Sequence, residues 1–438
     1  MMSIEKLIEE DKKYVLHGWG YSDITIVEAK GAIFKDAKGK EYLDFLSQTA
    51  GVLGIGHTHP KYVQAVKEQL EKVSHTLTMF TNAPRVECAK KLASIAPEPL
   101  KNNCKMYFSC GGSEANEVAL KFAMLTKKKK EVISVYYAYH GGTLALSSLL
   151  GQSWHHEGLV RFPGFYQIPN AYCYRCYFGQ EYPGCDFQCA RMLEWQIKCG
   201  SANDVAAFIL EPIQGNGGHM TPPSPEYFKI IRETCDKYDV LFIADEVQTG
   251  FGRTGKIWGC DYFNAKPDIM TTAKALGGGM PLSATVIKSD LVPEELTTAQ
   301  WHIFTMGGGP IECAAGAAAI DVLLEEKLWE NAAKQGEGMT KRLKDMEKEH
   351  RLIGEVRGPG LFIGVELVKD KKTKEPAIDE ALNVFLKCLE KGVLFGLNAK
   401  VGYGNVIKIK PPLVVTSEQC DKALDVLDEA LTEVEKGM

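Results

Sequence analysis

Three stretches of this sequence could do chemistry together. Val240-Leu-Phe-Ile-Ala244 is wholly apolar, as a central parallel strand is, yet it runs straight into Asp245-Glu246. About thirty residues on, the short apolar run Ile269–Thr272 ends in Ala273-Lys274, just before three glycines. Upstream, the strand-like run Met106–Cys110 stops at Gly111-Gly112-Ser113, and Glu114–Leu125 then has the apolar spacing of a helix with Ser113 as its N-cap. Small residues at a helix N-terminus make an anion cradle, because the free N–H groups and the helix dipole both favour a phosphate. A carboxylate and a lysine at strand ends stand on the ligand-binding edge of a parallel sheet. There the carboxylate can hold a ring nitrogen protonated, and a desolvated lysine amine can form a Schiff base with an aldehyde. Each feature alone could be ordinary, a capped helix or a surface lysine beside a loop; the ordered set of three is not.

Such groups need a framework. Ile133–Val135, Ala206–Leu210, Val240–Ala244 and Ile269–Thr272 read as buried strands, and Glu114–Leu125, Tyr227–Lys237 and Ile311–Glu325 as helices between them. That alternation predicts an α/β fold, a mostly parallel sheet wrapped by helices. From about Glu326 the pattern changes to the charged helix Glu337–His350, the strand Leu361–Val368, a further helix, the strand Val406–Lys410 and a closing helix. The expected organisation is a large domain over residues 66–325 and a smaller α+β domain built by both termini, residues 1–65 with the strands Ala32–Phe34 and Glu41–Phe45, and residues 326–438. No internal repeat or Pro/Gly/Ser-rich linker argues for a string of modules.

Composition narrows the partners. With 45% hydrophobic and 24% charged residues and a net charge of -5, the 438-residue chain has no polycationic face for nucleic acid or anionic membrane. No stretch approaches the roughly 20 apolar residues of a membrane span, and the N-terminus lacks a signal-peptide core. Thirteen cysteines, mostly scattered in apolar runs, fit a reducing compartment, and the expected location is the cytoplasm.

In order along the chain stand Leu43-Asp-Phe, Gly56-His-Thr-His-Pro60, Gly112-Ser-Glu-Ala-Asn-Glu117, Tyr139-His-Gly141, Glu211-Pro212, Asp245-Glu-Val-Gln-Thr-Gly-Phe-Gly-Arg-Thr-Gly255, Lys274 and Thr305-Met-Gly-Gly-Gly-Pro310. This set, nearly end to end, resembles the class III (omega) aminotransferases of fold type I, which use pyridoxal 5′-phosphate (PLP). The resemblance implies a seven-stranded, mostly parallel sheet in the large domain. It also implies that Gly111, Gly112 and Ser113 bind the phosphate and that Tyr139 and Val247 lie on opposite faces of the ring. Asp245 would then pair with the ring nitrogen, Gln248 reach the phenolic oxygen, and Lys274 hold the cofactor as a Schiff base and act as general base and acid. Glu211 would order the polar network beside the cofactor. Thr305 would contact the phosphate of the neighbouring subunit, which implies a homodimer with shared active sites, or a tetramer built from it. Arg253 reads as a structural ion-pair partner, and His57 and His59 as loop anchors with no metal. Tyr136 and Tyr137, beside Tyr139, keep a core role open for that ring.

Two departures bear on the reaction. Many relatives that act on α-amino or α-keto acids carry an arginine in the late strand before Pro-Pro, where its planar fork grips a carboxylate; here Lys408 stands there, a point charge rather than a fork. Lys408, Trp19 and Gln48 are expected to shape the substrate pocket. The leading expectation is an aminotransferase passing an amino group from an amino acid or omega-amine to a keto acid or aldehyde. Racemase, epimerase or phospho-lyase chemistry uses the same cofactor residues and stays open, whereas a non-catalytic binder would not need Lys274, Asp245 and the cradle together. The second departure is an insertion over residues 172–189, in which Cys173, Cys176, Cys185 and Cys189 are spaced C-x2-C-x8-C-x3-C. That spacing admits a structural zinc or iron–sulfur ligand set, and equally a group of buried thiols or a disulfide pair.

Overall fold

A computed structural model describes residues 3–18, 22–397 and 404–438, so Trp19 lies outside the described residues. At its centre is the seven-stranded sheet, in the order Cys104–Ser109, Ser283–Lys288, Ile269–Thr272, Leu241–Asp245, Val205–Leu210, Glu131–Val135 and Phe165–Ile168. Only Ser283–Lys288 runs against its neighbours. The strands Glu131–Val135, Val205–Leu210, Leu241–Asp245 and Ile269–Thr272 are buried at every residue, which is why they read as mainly apolar runs rather than alternating ones. Because these strands share one direction, the chain segments after Leu210, Asp245 and Thr272 all emerge at one edge of the sheet. The segment after Ser109 emerges there too, since Cys104–Ser109 pairs antiparallel with the one reversed strand. The sheet topology thus gathers Gly111, Glu211, Asp245 and Lys274 before any side-chain contact is made.

Two smaller sheets stand beside it. Ile26–Lys30, Ile33–Asp36 and Glu41–Asp44 form a meander completed by Val393–Leu394 from the far end of the chain, parallel to Glu41–Asp44. Ile353–Arg357, Ile363–Asp370, Val406–Ile409 and Gly396–Leu397 form an antiparallel sheet. The closing helix Ser417–Lys436 packs on the helices Leu328–Glu349 and Ile378–Glu390 and opens on a fully formed capping box: Thr416 Oγ1 accepts from the Gln419 N–H at 3.3 Å and Gln419 Oε1 from the Thr416 N–H at 3.0 Å. The charged helix expected at Glu337–His350 starts a full two turns earlier, over Leu328–Glu349, because Leu328, Ala332 and Gln335 continue its buried stripe. No helix among the described residues is long and apolar enough to cross a membrane. All thirteen cysteines are free thiols.

Candidate active site

Lys274 closes the strand Ile269–Thr272 and is held in the left-handed region at φ +45°, a conformation that costs energy for a lysine and that the surrounding turn must impose. Tyr62 supplies part of that constraint, its hydroxyl donating to the Gly277 carbonyl at 2.8 Å. Burial pushes the Lys274 amine below its ordinary pKa, while the charges of Asp245 and Glu211 pull it back up. An amine so placed spends more of its time neutral, the form that attacks a carbonyl.

Asp245 ends its strand buried and fully engaged. One carboxylate oxygen accepts from Asn116 Nδ2 at 2.8 Å and lies 2.8 Å from His140 Nδ1; the other accepts from the Val247 N–H at 3.1 Å. Asn116 is itself fixed, donating also to the His140 carbonyl at 2.7 Å and accepting from Thr271 Oγ1 at 2.6 Å. His140 Nε2 is buried with no hydrogen-bond partner. Sequence reasoning named Asp245 but assigned no role to Asn116 or His140; the available signal was their place inside Gly112–Glu117 and Tyr139–Gly141, two of the ordered motifs. Neighbouring Glu246 points the other way and accepts from Thr249 Oγ1, the Gly259 N–H and the Cys260 N–H at 2.5, 3.0 and 2.6 Å, which ties down the turn that follows. Burial raises its pKa to about 7.

At the cradle, the helix runs Gly112–Lys127 with Gly111 as its N-cap, so Ser113 lies within the first turn and does not cap it as expected. The cap comes from inside the helix instead, since Glu114 Oε2 accepts from the Cys110 and Gly111 N–H groups at 2.9 and 3.1 Å. Ser113 Oγ accepts from the Gly142 N–H at 3.2 Å. A Cβ on Gly112 would sit 2.9 Å from Val247, and one on Gly141, at φ +138°, would collide with Ser113, so both positions demand glycine. Beside Gly111 there is open space. Tyr139 is half-buried, with its ring centroid 5.5 Å from that of His155.

Glu211 is 3% exposed and accepts from the Tyr139 and Gly215 N–H groups at 3.0 and 2.9 Å. Burial, with help from the Asp245 charge, raises it to about 7. Facing it from the late strand are two buried lysines on one face. Lys408 donates to the Asn216 carbonyl at 2.9 Å, and burial lowers it to about 7. Lys410, which sequence reasoning passed over, donates to Gln248 Oε1 at 3.2 Å and is pushed well down by burial and by the charges of Lys408 and Lys274. Gln48 lies in a left-handed run from Ser47 to Gly51, whose start is pinned by Asp44 accepting from the Gln48 N–H at 2.9 Å. Three residues beyond that run, Gly54 would bring a Cβ within 3.3 Å of Ala275, so the run borders the Lys274 turn.

Other expected residues fall elsewhere. Arg253 is fully buried but donates to the carbonyls of Leu361 and Pro411 rather than to a carboxylate; Asp44 acts on it only as a nearby charge. His57 and His59 anchor loops, at 2.9 Å from Asp44 and 2.8 Å from Glu326. Thr305 is exposed on the single chain. Cys173, Cys176, Cys185 and Cys189 line a separate small cavity, and among the described residues no three His, Cys, Asp or Glu side chains already converge as metal ligands.

A buried lysine with a depressed pKa, a carboxylate fixed for a ring nitrogen and an open glycine cradle at a helix start fit PLP. The model of the aminotransferase class-III family matches residues 17–431. Among curated proteins the chain is similar to a leucine/methionine racemase from Thermococcus litoralis, 40% identical over 95% of this chain and 92% of the relative. It is also similar to an acetylornithine aminotransferase from Caldanaerobacter subterraneus subsp. tengcongensis, 34% identical over 98% and 100%. Among solved structures, that of a Bacillus anthracis aminotransferase superposes with a TM-score of 0.93 at 33% identity, covering 99% of this chain and 100% of that one. The expected fold type I architecture is therefore present.

Proposed function

The chain belongs to the class III aminotransferase family, and from that premise we propose that it passes an amino group from an amino acid or omega-amine to a keto acid or aldehyde with Lys274 as the working base. The observation that carries this reading is the convergence of Lys274, Asp245 and Glu211 beside the Gly111–Ser113 cradle on one sheet edge. PLP, when bound, supplies an aldehyde that captures the amine and a cationic ring that draws electrons from the substrate carbon. Asp245, held by Asn116 and His140, keeps the ring nitrogen protonated, and Gly111, Gly112 and Ser113 hold the phosphate. Tyr139 and Val247 would confine the ring plane, and Gln248, to which Lys410 donates, would reach the phenolic oxygen. With its amine free, Lys274 would take the proton from the substrate carbon and later return it, as general base and acid. Glu211 and Lys408, each near pH 7 in pKa, balance charge around an entering carboxylate, and Gln48 helps to shape the substrate pocket. The working unit is a homodimer in which the partner's Thr305 completes the phosphate site, and thirteen free thiols fit a cytoplasmic home.

A second reading rests on one observation, the 40% identity to a racemase. Holoenzyme mixed with a panel of amines in deuterated buffer, without acceptor, separates the two. Transamination releases about one equivalent of keto product per site and then stops. Deuterium at the substrate carbon with loss of optical activity and no keto product would replace it with racemisation.

A further inference from the structure

The Cys-rich insertion carries chemistry that amino transfer does not use. Cys173 and Cys176 bracket a single helical turn, Cys185 follows in the loop, and Cys189 sits in the first turn of the helix Gln188–Trp195. All four line one cavity of about 20 Å³, together with Tyr177, Gln180 and Tyr182. That is space for a single atom of water size. Burial, and then the charge each thiolate would impose on the others, pushes Cys173 up to about 11 and Cys189 up to about 12.

A second observation concerns a buried residue within electrostatic reach of two of these cysteines. Tyr227 is 1% exposed, and its hydroxyl has no hydrogen-bond partner. After its own burial, the ionisable groups whose charge acts on it are Cys189 and Cys173. A buried hydroxyl without an acceptor is costly, and a metal-bound thiolate is a good acceptor. Arg175, between the first two cysteines, spends its Nε on Glu366 at 2.8 Å and leaves one buried guanidinium nitrogen unpartnered.

We propose that Cys173, Cys176, Cys185 and Cys189 bind one zinc ion as a tetrathiolate. Four S–H bonds break, four Zn–S bonds form and four protons leave, so that Zn²⁺ and four thiolates carry a net charge of -2. Tyr227 donates to a ligand sulfur, and the free nitrogen of Arg175 and the N-terminus of Gln188–Trp195 offset the charge. The thiols reach this arrangement by side-chain rotation, for which Cys173 is exposed and the other three half-buried. The ion steadies more than the insertion. Tyr172 and Arg175 both bond Glu366, Glu366 bonds Arg357, and Arg357 donates to the Gly218 carbonyl at 2.7 Å, two residues from the Asn216 carbonyl that holds Lys408.

The test is metal analysis of holoenzyme purified without chelator under anaerobic conditions, beside Cys173→Ser/Cys185→Ser and Tyr227→Phe. The wild type should carry about one zinc per chain and the double variant below about a tenth of that, with PLP absorbance retained in both. Tyr227→Phe should keep its zinc but lose it to a chelator several-fold faster. Cobalt exchanged into the wild type should give thiolate-to-metal absorption that the double variant lacks. A folded, PLP-bound wild type that is metal-free, with all four thiols titrating or paired as disulfides, would overturn the proposal. So would iron with labile sulfide in place of zinc.

Discussion

Lys408 and Glu211 show how far single residues here depend on burial. Lys408 has its folded pKa lowered from 10.5 to about 7. Above about pH 7 the unfolded chain therefore binds a proton that the folded one does not, and stability rises with pH. The window for observing this in cofactor-free protein runs from about pH 7 to about pH 8.5, where unfolded thiols begin to titrate. Urea melts should show unfolding free energy increasing across that window, and Lys408→Met should flatten the increase; an unchanged slope would show that Lys408 is not desolvated. Glu211 shifts the opposite way, from 4.5 to about 7, so its contribution weakens stability as pH climbs through that range. At Asp245, the proposed partner of the ring nitrogen, Asp245→Asn preserves size but removes the charge, and kcat should fall by roughly 10²-fold or more while the protein remains folded.

At the scale of elements, the turns after the strands do the positioning. Glu246 accepts from two buried N–H groups and a hydroxyl, so Glu246→Ala should cost about 3 kcal/mol or more in denaturant melts, since each stranded group costs roughly 1–3 kcal/mol. Gly141→Ala should push Ser113 off the cradle and weaken PLP affinity by tenfold or more, read by cofactor titration. These elements were unequally legible in the sequence. Asp245 stands out because a charge that directly follows a wholly apolar run must sit at the strand's end, on the edge where a parallel sheet binds its ligands, and Lys274 because it follows a second short strand within two residues. The N-cap was misplaced onto Ser113 because Gly111 has no side chain to signal a cap and Glu114 does the capping from within the helix. Asn116 and His140 give no periodic or compositional signal, since their value lies in meeting Asp245 across more than a hundred residues of chain. Lys410 was hidden because a lysine in a late strand ordinarily points to water, and only the packing of Phe362 and Gln248 around it removes that option.

For the whole molecule, both termini contribute to one sheet through the pairing of Glu41–Asp44 with Val393–Leu394, a parallel contact between the two ends of the chain that no local pattern encodes. The exposed apolar side chains Leu77, Met79, Phe80, Ile303 and Met306 flank Thr305 and the segment that precedes Arg85. A patch of this kind suits the proposed homodimer. Met79→Asp together with Ile303→Asp should shift the protein toward monomer in sedimentation experiments and lower PLP affinity in parallel; monomers that bind PLP as the wild type does would separate assembly from the site. The claim on which the rest depends is that Lys274 is the working base. Single-turnover reaction of the Lys274→Ala holoenzyme with a donor amine tests it directly. The expected result is loss of the wild-type visible absorbance and a rate lower by about 10²–10⁴-fold, partly restored by added small amines; a rate within tenfold of wild type would contradict it.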